Sequence, residues 1–137
     1  MTVRSILCFG DSNTHGTEPM RDMDDKHRMA PDERWPGRLA AALGAGWQVI
    51  EEGHPGRTTV HADPVEGPHK NGLAALPVAL ESHRPLDLVI LMLGTNDLKT
   101  QFMVRPPDIA RSIDRLVAHI LASDCGPERA APKLLLI

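Results

Sequence analysis

The sequence predicts an α/β domain built on a parallel sheet, and three observations carry that prediction. Four short apolar runs, at 5–9, 47–51, 86–93 and 133–137, have the length and composition of strands. Stretches with helical apolar spacing separate them, so the order reads strand, helix, strand, helix, strand, helix, strand. Turns containing glycine follow the first three runs, at Gly10, Gly53 and Gly94. In a parallel sheet all three turns converge on one edge, where open α/β sheets keep their ligands.

Each element has its own signature. Ser5-Ile6-Leu7-Cys8-Phe9 is a buried strand, and Gly10 permits a sharp turn that presents Ser12 just beyond it. Glu18 to Glu33 is polar and charged without periodicity, and reads as a long loop beside Ser12. Its three methionines, Met20, Met23 and Met29, line an apolar pocket or pack under the loop. Trp35, Leu39 and Leu43 share one face of a helix, with Asp32 as its candidate N-cap and Gly44 and Gly46 at its end. Trp47 to Glu51 is the second strand, followed by the Gly53–Thr59 loop and a further loop from Val60 to Lys70. Asn71 opens a helical stretch carrying Leu73, Leu76 and Leu80, which Pro77 either breaks or restarts. The run from Leu86 to Leu93 closes on five consecutive apolar residues, as in a strand covered on both faces. Ile109, Ile113, Leu116, Val117, Ile120 and Leu121 form a helical stripe, stopped by Gly126-Pro127. Lys133 to Ile137 starts a fourth strand.

Composition narrows the function. A chain of 137 residues is long enough for one domain with a real core. Apolar content of 42% and charged content of 24% are those of a soluble globular protein. A net charge of −3 argues against nucleic acid or an anionic membrane as the main partner. No window approaches the roughly 20 apolar residues of a membrane-spanning helix. The N-terminus lacks the apolar region of a signal peptide, so the expected location is the cytoplasm. Cys8 and Cys125 are far apart, with Cys8 a buried thiol, and imply no disulfide framework. There is no His-x-x-x-His or Cys-x-x-Cys pair and no phosphate-binding glycine motif, so neither a metal nor a nucleotide cofactor is expected.

The three converging turns bring a hydroxyl at Ser12, glycine backbone N–H groups and the side-chain amide of Asn96 to one edge. Those are the parts of a nucleophile and an oxyanion hole. Singly, each is an ordinary turn; their order along the chain gives them weight. Phe9-Gly10-Asp11-Ser12-Asn13-Thr14 resembles the first block of the SGNH (GDSL-type) hydrolases. Gly56 matches the glycine of the second block and Gly94-Thr95-Asn96-Asp97 the third. Residues 6–12, 51–53, 57–59 and 87–99 resemble the bacterial arylesterase/acyltransferase branch.

The resemblance implies a three-layer α/β/α fold with a flavodoxin-like parallel sheet. It implies an esterase or acyltransferase without cofactor or metal, acting on small, short-acyl esters. Ser12 is then the nucleophile, with the N–H groups of Ser12 and Gly56 and the Asn96 amide as the oxyanion hole. Asp11 and Asp97 hold turns. Homo-oligomers are expected from family analogy.

The family carries its catalytic Asp and His in a late Asp-x-x-His block, and no such block stands in the second half of this sequence. The expectation is a single domain over 1–137, missing the last strand and helix, with Asp and His supplied by a C-terminal segment or companion chain. A short protein without full activity is the alternative: a silent ligand-binding module or pseudo-enzyme. His15 and His54 are the nearest substitute bases, whereas His27, His61, His69, His83 and His119 read as surface residues.

Overall fold

The computed structural model describes residues 2–137. Four strands form one parallel sheet in the order β2-β1-β3-β4: β1 (Arg4–Gly10), β2 (Trp47–Gly53), β3 (Leu88–Met92) and β4 (Lys133–Leu136). β1 is central, aligned through Leu7 with Ile50 of β2 and Val89 of β3. The chain winds one way from β1 to β2 and the other way to β3 and β4, so the reversal lies between β1 and β3. The crevice at such a reversal, beyond the strands' carboxyl ends, is where this architecture holds ligands.

Strand alternation builds two cores. Leu7 and Phe9 of β1, with Val89 and Leu91 of β3, face one side and pack under α3 (Gly72–His83) and α4 (Pro106–Ala122). Leu76, Leu80, Leu116 and Ile120 close that core with 1% exposure or less. Ile6, Cys8 and Ile90 point the other way, onto Trp35, Leu39 and Leu43 of α2 (Trp35–Leu43). The two parities of one strand thus supply two helix layers. The three-layer α/β/α reading holds.

Several boundaries differ from the sequence expectation. Asp32 does not cap α2; Arg34 occupies the cap position without a side-chain bond, and Pro36 fills the first turn, where its missing N–H is harmless. Pro77 neither breaks nor restarts α3 but sits inside it. Its ring removes only one bond from a helix already fixed by Leu76 and Leu80 in the core. Asn71 caps that helix, its Oδ1 accepting from Ala74 N. α4 ends at Ser123, before Gly126-Pro127, with the hydroxyl turned back onto Ile120 O. β3 is shorter than the run at 86–93: Leu86 is buried outside the strand and bonded to Cys125 O. β4 pairs with β3 along one edge, and Leu135 and Leu136 are about half exposed (48% and 51%).

Candidate active site

β1 delivers Ser12 as the first residue of a single helical turn, α1 (Ser12–His15). Asp11 caps that turn, its Oδ1 accepting from Asn13 N at 2.9 Å. The carboxyl is 1% exposed, and burial pushes its pKa up against the lowering pull of the Asn13 N–H. Asp11 is thereby tied to the backbone of its own turn. Gly10 is needed for room rather than for an unusual φ: a Cβ there would lie 2.1 Å from Thr14 Oγ1 and 2.9 Å from Met92 O. The turn after β1 is pressed against the end of β3.

The second turn is pinned from below. Arg57, 6% exposed, donates from its guanidinium to Gly10 O at 3.2 Å and to Glu52 O at 2.7 Å. Its guanidinium carbon lies 4.2 Å over the Phe9 ring. One cation thereby joins the ends of β1 and β2. It leaves Gly56 at φ +78°, a left-handed conformation that favours glycine. The third turn is locked to the second through Asp97, which is fully buried. Its carboxylate accepts from Thr59 N at 2.9 Å and from the Thr59 hydroxyl. Asn96, next to it, donates from Nδ2 to Arg57 O at 3.1 Å, which orients the amide and leaves its second N–H unspent.

These constraints place Ser12, Gly56 and Asn96 on the wall of one cavity of about 590 Å³. Ser12 N–H and Gly56 N–H have no acceptor among the described residues, and neither does the Ser12 hydroxyl. Met20, Met23 and Met29 line the same cavity, so the long loop is a pocket wall. Glu66 and Lys99 add a polar edge, with Lys99 Nζ 3.3 Å from Glu66 Oε2.

Among the described residues no histidine lines this cavity. His15 is turned away, its Nδ1 3.3 Å from Gly53 O, and burial lowers its pKa. His54 accepts at Nε2 from the Lys70 ammonium at 3.2 Å. Burial first, then the Lys70 charge, hold its pKa down to about 4. Such a ring is a weak base near neutral pH. Two of the remaining histidines are not surface residues as expected. His61 is stacked on Phe102 with its Nε2 buried 3.6 Å from Asp97 Oδ2, and half-buried His83 is bonded to Glu52 at 2.9 Å. The Cys8 thiol is buried and its pKa is pushed up to about 12, by burial and then by Glu51. Among the described residues no three His, Cys, Asp or Glu side chains cluster to hold a metal ion, and no helix is long and apolar enough to cross a membrane.

Residues 8–134 match the model of the GDSL-like lipase/acylhydrolase family. The chain belongs to that family. Among solved structures, this GDSL-like chain is similar to the inhibitor-bound aryl esterase of M. smegmatis. Identity is 48% and the TM-score 0.92, over 98% of this chain and 63% of that one. It is similar also to Est24, a carbohydrate acetylesterase from Sinorhizobium meliloti, with 46% identity and a TM-score of 0.91 over 97% and 62% of the two chains. AlinE4, an SGNH-hydrolase family esterase, aligns at 25% identity and a TM-score of 0.68 over 99% and 59%. The GDSL-like chain thus spans about three-fifths of the length of these structures. No curated protein sequence matches it.

The structure brings Ser12, Gly56 and Asn96 to one cavity and leaves His15 and His54 outside it. Sequence reading missed Arg57 as the pin between two turns and Lys70 as the cation that fixes His54. An arginine following a glycine in a loop carries no mark of burial. Lys70 gave no signal, because its partners lie 15 and 16 residues away in a different loop.

Proposed function

We propose that the chain forms the nucleophile-bearing part of a serine esterase. The supporting observation is the cavity itself: a hydroxyl, two unspent backbone N–H groups and an oriented amide face one space. Ser12 Oγ attacks the ester carbonyl, and the hydroxyl proton passes to a base. The carbonyl oxygen becomes an oxyanion accepting from Ser12 N–H, Gly56 N–H and Asn96 Nδ2. Collapse expels the alcohol, which takes the proton, and leaves acyl-Ser12. Water then adds to the acyl group and releases the acid; an alcohol in its place gives transesterification. Loss of one oxyanion donor typically costs about 2.7–4 kcal/mol of transition-state stabilisation. The methionine wall suits a short apolar acyl group.

The base and its carboxylate partner come, on this reading, from residues outside 1–137, since no described histidine lines the Ser12 cavity. The same observation favours a second reading, a binding module that keeps the pocket without turnover. Hydrolysis of p-nitrophenyl acetate by wild type and Ser12→Ala, with imidazole added as an external base, separates the two. The esterase reading predicts Ser12-dependent turnover that rises with imidazole. Equal rates for both proteins at every imidazole concentration leave the binding module.

A further inference from the structure

A separate cavity, of about 390 Å³, lies between the end of β2 and α3, with Glu52, Arg57, Ala79 and His83 on its wall. It shares no lining residue with the Ser12 cavity. We propose that this cavity binds a small monocarboxylate with a short apolar tail, its carboxylate seated on the Arg57 guanidinium. The inference does not depend on the esterase reading.

The guanidinium is short of partners. Nη1 donates to the Gly10 and Glu52 carbonyls, Nε is buried with no acceptor, and Nη2 makes no hydrogen bond among the described residues. The two carboxylates nearest in charge are spent elsewhere: Glu52 Oε1 on His83 Nε2 at 2.9 Å, and Asp11 Oδ1 on Asn13 N. A cation that is 6% exposed thus stands among carbonyls without an anion of its own, whereas buried charges are ordinarily paired. Nε and Nη2 form one edge of the planar fork, the edge that takes a carboxylate through two parallel bonds. Arg57 lines this cavity and not the Ser12 cavity, so that edge opens here.

The rest of the wall selects the class. Ala75, Val78 and Ala79 of α3 give an apolar strip that suits a short hydrocarbon tail. The Glu52 carboxylate and the C-terminal end of α3 border the site. Their negative charge is outweighed by Arg57 for a monoanion but repels a phosphate dianion or a dicarboxylate more strongly. A cation would meet Arg57 itself, and a neutral amide would leave its charge unpaired. Arg57 also ties the turns around Ser12, with its carbonyl accepting from Asn96 Nδ2 and its Nη1 holding Gly10 O. Only the folded chain assembles this site, so an occupying carboxylate stabilises that arrangement.

The test titrates the full chain with sodium butyrate, butyramide or inorganic phosphate at constant pH and ionic strength, and follows the His83 and His15 ring resonances by NMR. Butyrate should move His83, on the cavity wall, saturably and leave His15, at the end of the Ser12 turn, in place. Butyramide and phosphate should bind at least about tenfold more weakly, the effect of losing one charge-assisted pair. Val78→Glu, at a helix position that is 65% exposed, adds a carboxylate to the wall without altering Arg57 or the Ser12 cavity. It should weaken butyrate about tenfold by like-charge repulsion and leave the ligand-free urea midpoint unchanged. Butyrate should raise the urea midpoint of wild type more than that of Val78→Glu. No movement of His83, movement of His15 instead, equal binding of butyramide or phosphate, or undiminished binding by Val78→Glu overturns the proposal. Ser12-dependent turnover bears on the esterase reading alone.

Discussion

The floor and the roof of the Ser12 cavity are built by different means. The floor consists of three strand-end turns, bolted together by buried groups: Asp11 to Asn13 N, Arg57 to Gly10 and Glu52, and Asp97 to Thr59. The roof is the segment from Thr17 to Glu33, most of it exposed, with Met23 84% exposed. It is held at few points. Arg28 Nε donates to His15 O at 2.7 Å, and Arg34 clamps Met29 O at 3.1 Å while gripping Glu51 at 2.6 and 3.0 Å. On the proposed esterase reading the floor fixes the atoms that meet a developing charge, for which small displacements are costly. The roof sets only which groups fit, and low local stability suffices there.

Breaking the floor should have the largest effect. Asp97→Ala leaves two buried donors of Thr59 unpaired, and a loss of roughly 3 kcal/mol in unfolding free energy is expected by urea denaturation. Asp97→Asn should lose less, because one oxygen still accepts. A loss under about 1 kcal/mol for the alanine variant would show that the floor is not held this way.

Loosening the roof should cost less overall and more locally. Arg34→Ala removes the Glu51 pair and the Met29 tether, at about 1 kcal/mol of global stability. Limited proteolysis should then cut first between Thr17 and Glu33. Unchanged cleavage sites would mean that the roof is fastened elsewhere.

The smallest effect lies at the seam, at His54. Its folded pKa of about 4 is below the ordinary 6.5, so the sign is set: the unfolded chain takes up a proton that the folded chain refuses. Above pH 6.5 the ring is neutral in both states and its contribution is complete; it is lost as pH falls from 6.5 through about 4. Urea midpoints at pH 7 and pH 5 should therefore differ less for His54→Phe than for wild type. An equal pH dependence would place the ring outside the buried, Lys70-facing position.

The floor was legible in the sequence and the roof was not, for a physical reason. β1 and β3 announce themselves as apolar runs, and a parallel sheet brings their following turns together whatever the loops do. Ser12 and Asn96 follow from that convergence, whereas Gly56, after β2, was singled out by the family resemblance; all three line one cavity. Asp97 read correctly as a turn-holding residue, although its partner Thr59, 38 positions away, was not visible. The roof has no periodicity, so its course depends on Arg28 and Arg34 finding a carbonyl and a carboxylate that no local pattern specifies. Pro77 and Asp32 misled because local propensity is weak against packing: a helix seated in the core tolerates an internal proline, and an N-cap residue two positions early goes unused.

In the proposed esterase, Ser12 Oγ, two backbone N–H groups and the Asn96 amide together bind one tetrahedral centre. Boron-11 NMR of phenylboronic acid with the protein tests it without needing a leaving group. A Ser12-centred oxyanion hole predicts a shift from trigonal to tetrahedral boron with wild type, none with Ser12→Ala, and weaker conversion with Asn96→Ala. Boron that stays trigonal with wild type, or turns tetrahedral equally with Ser12→Ala, would contradict it.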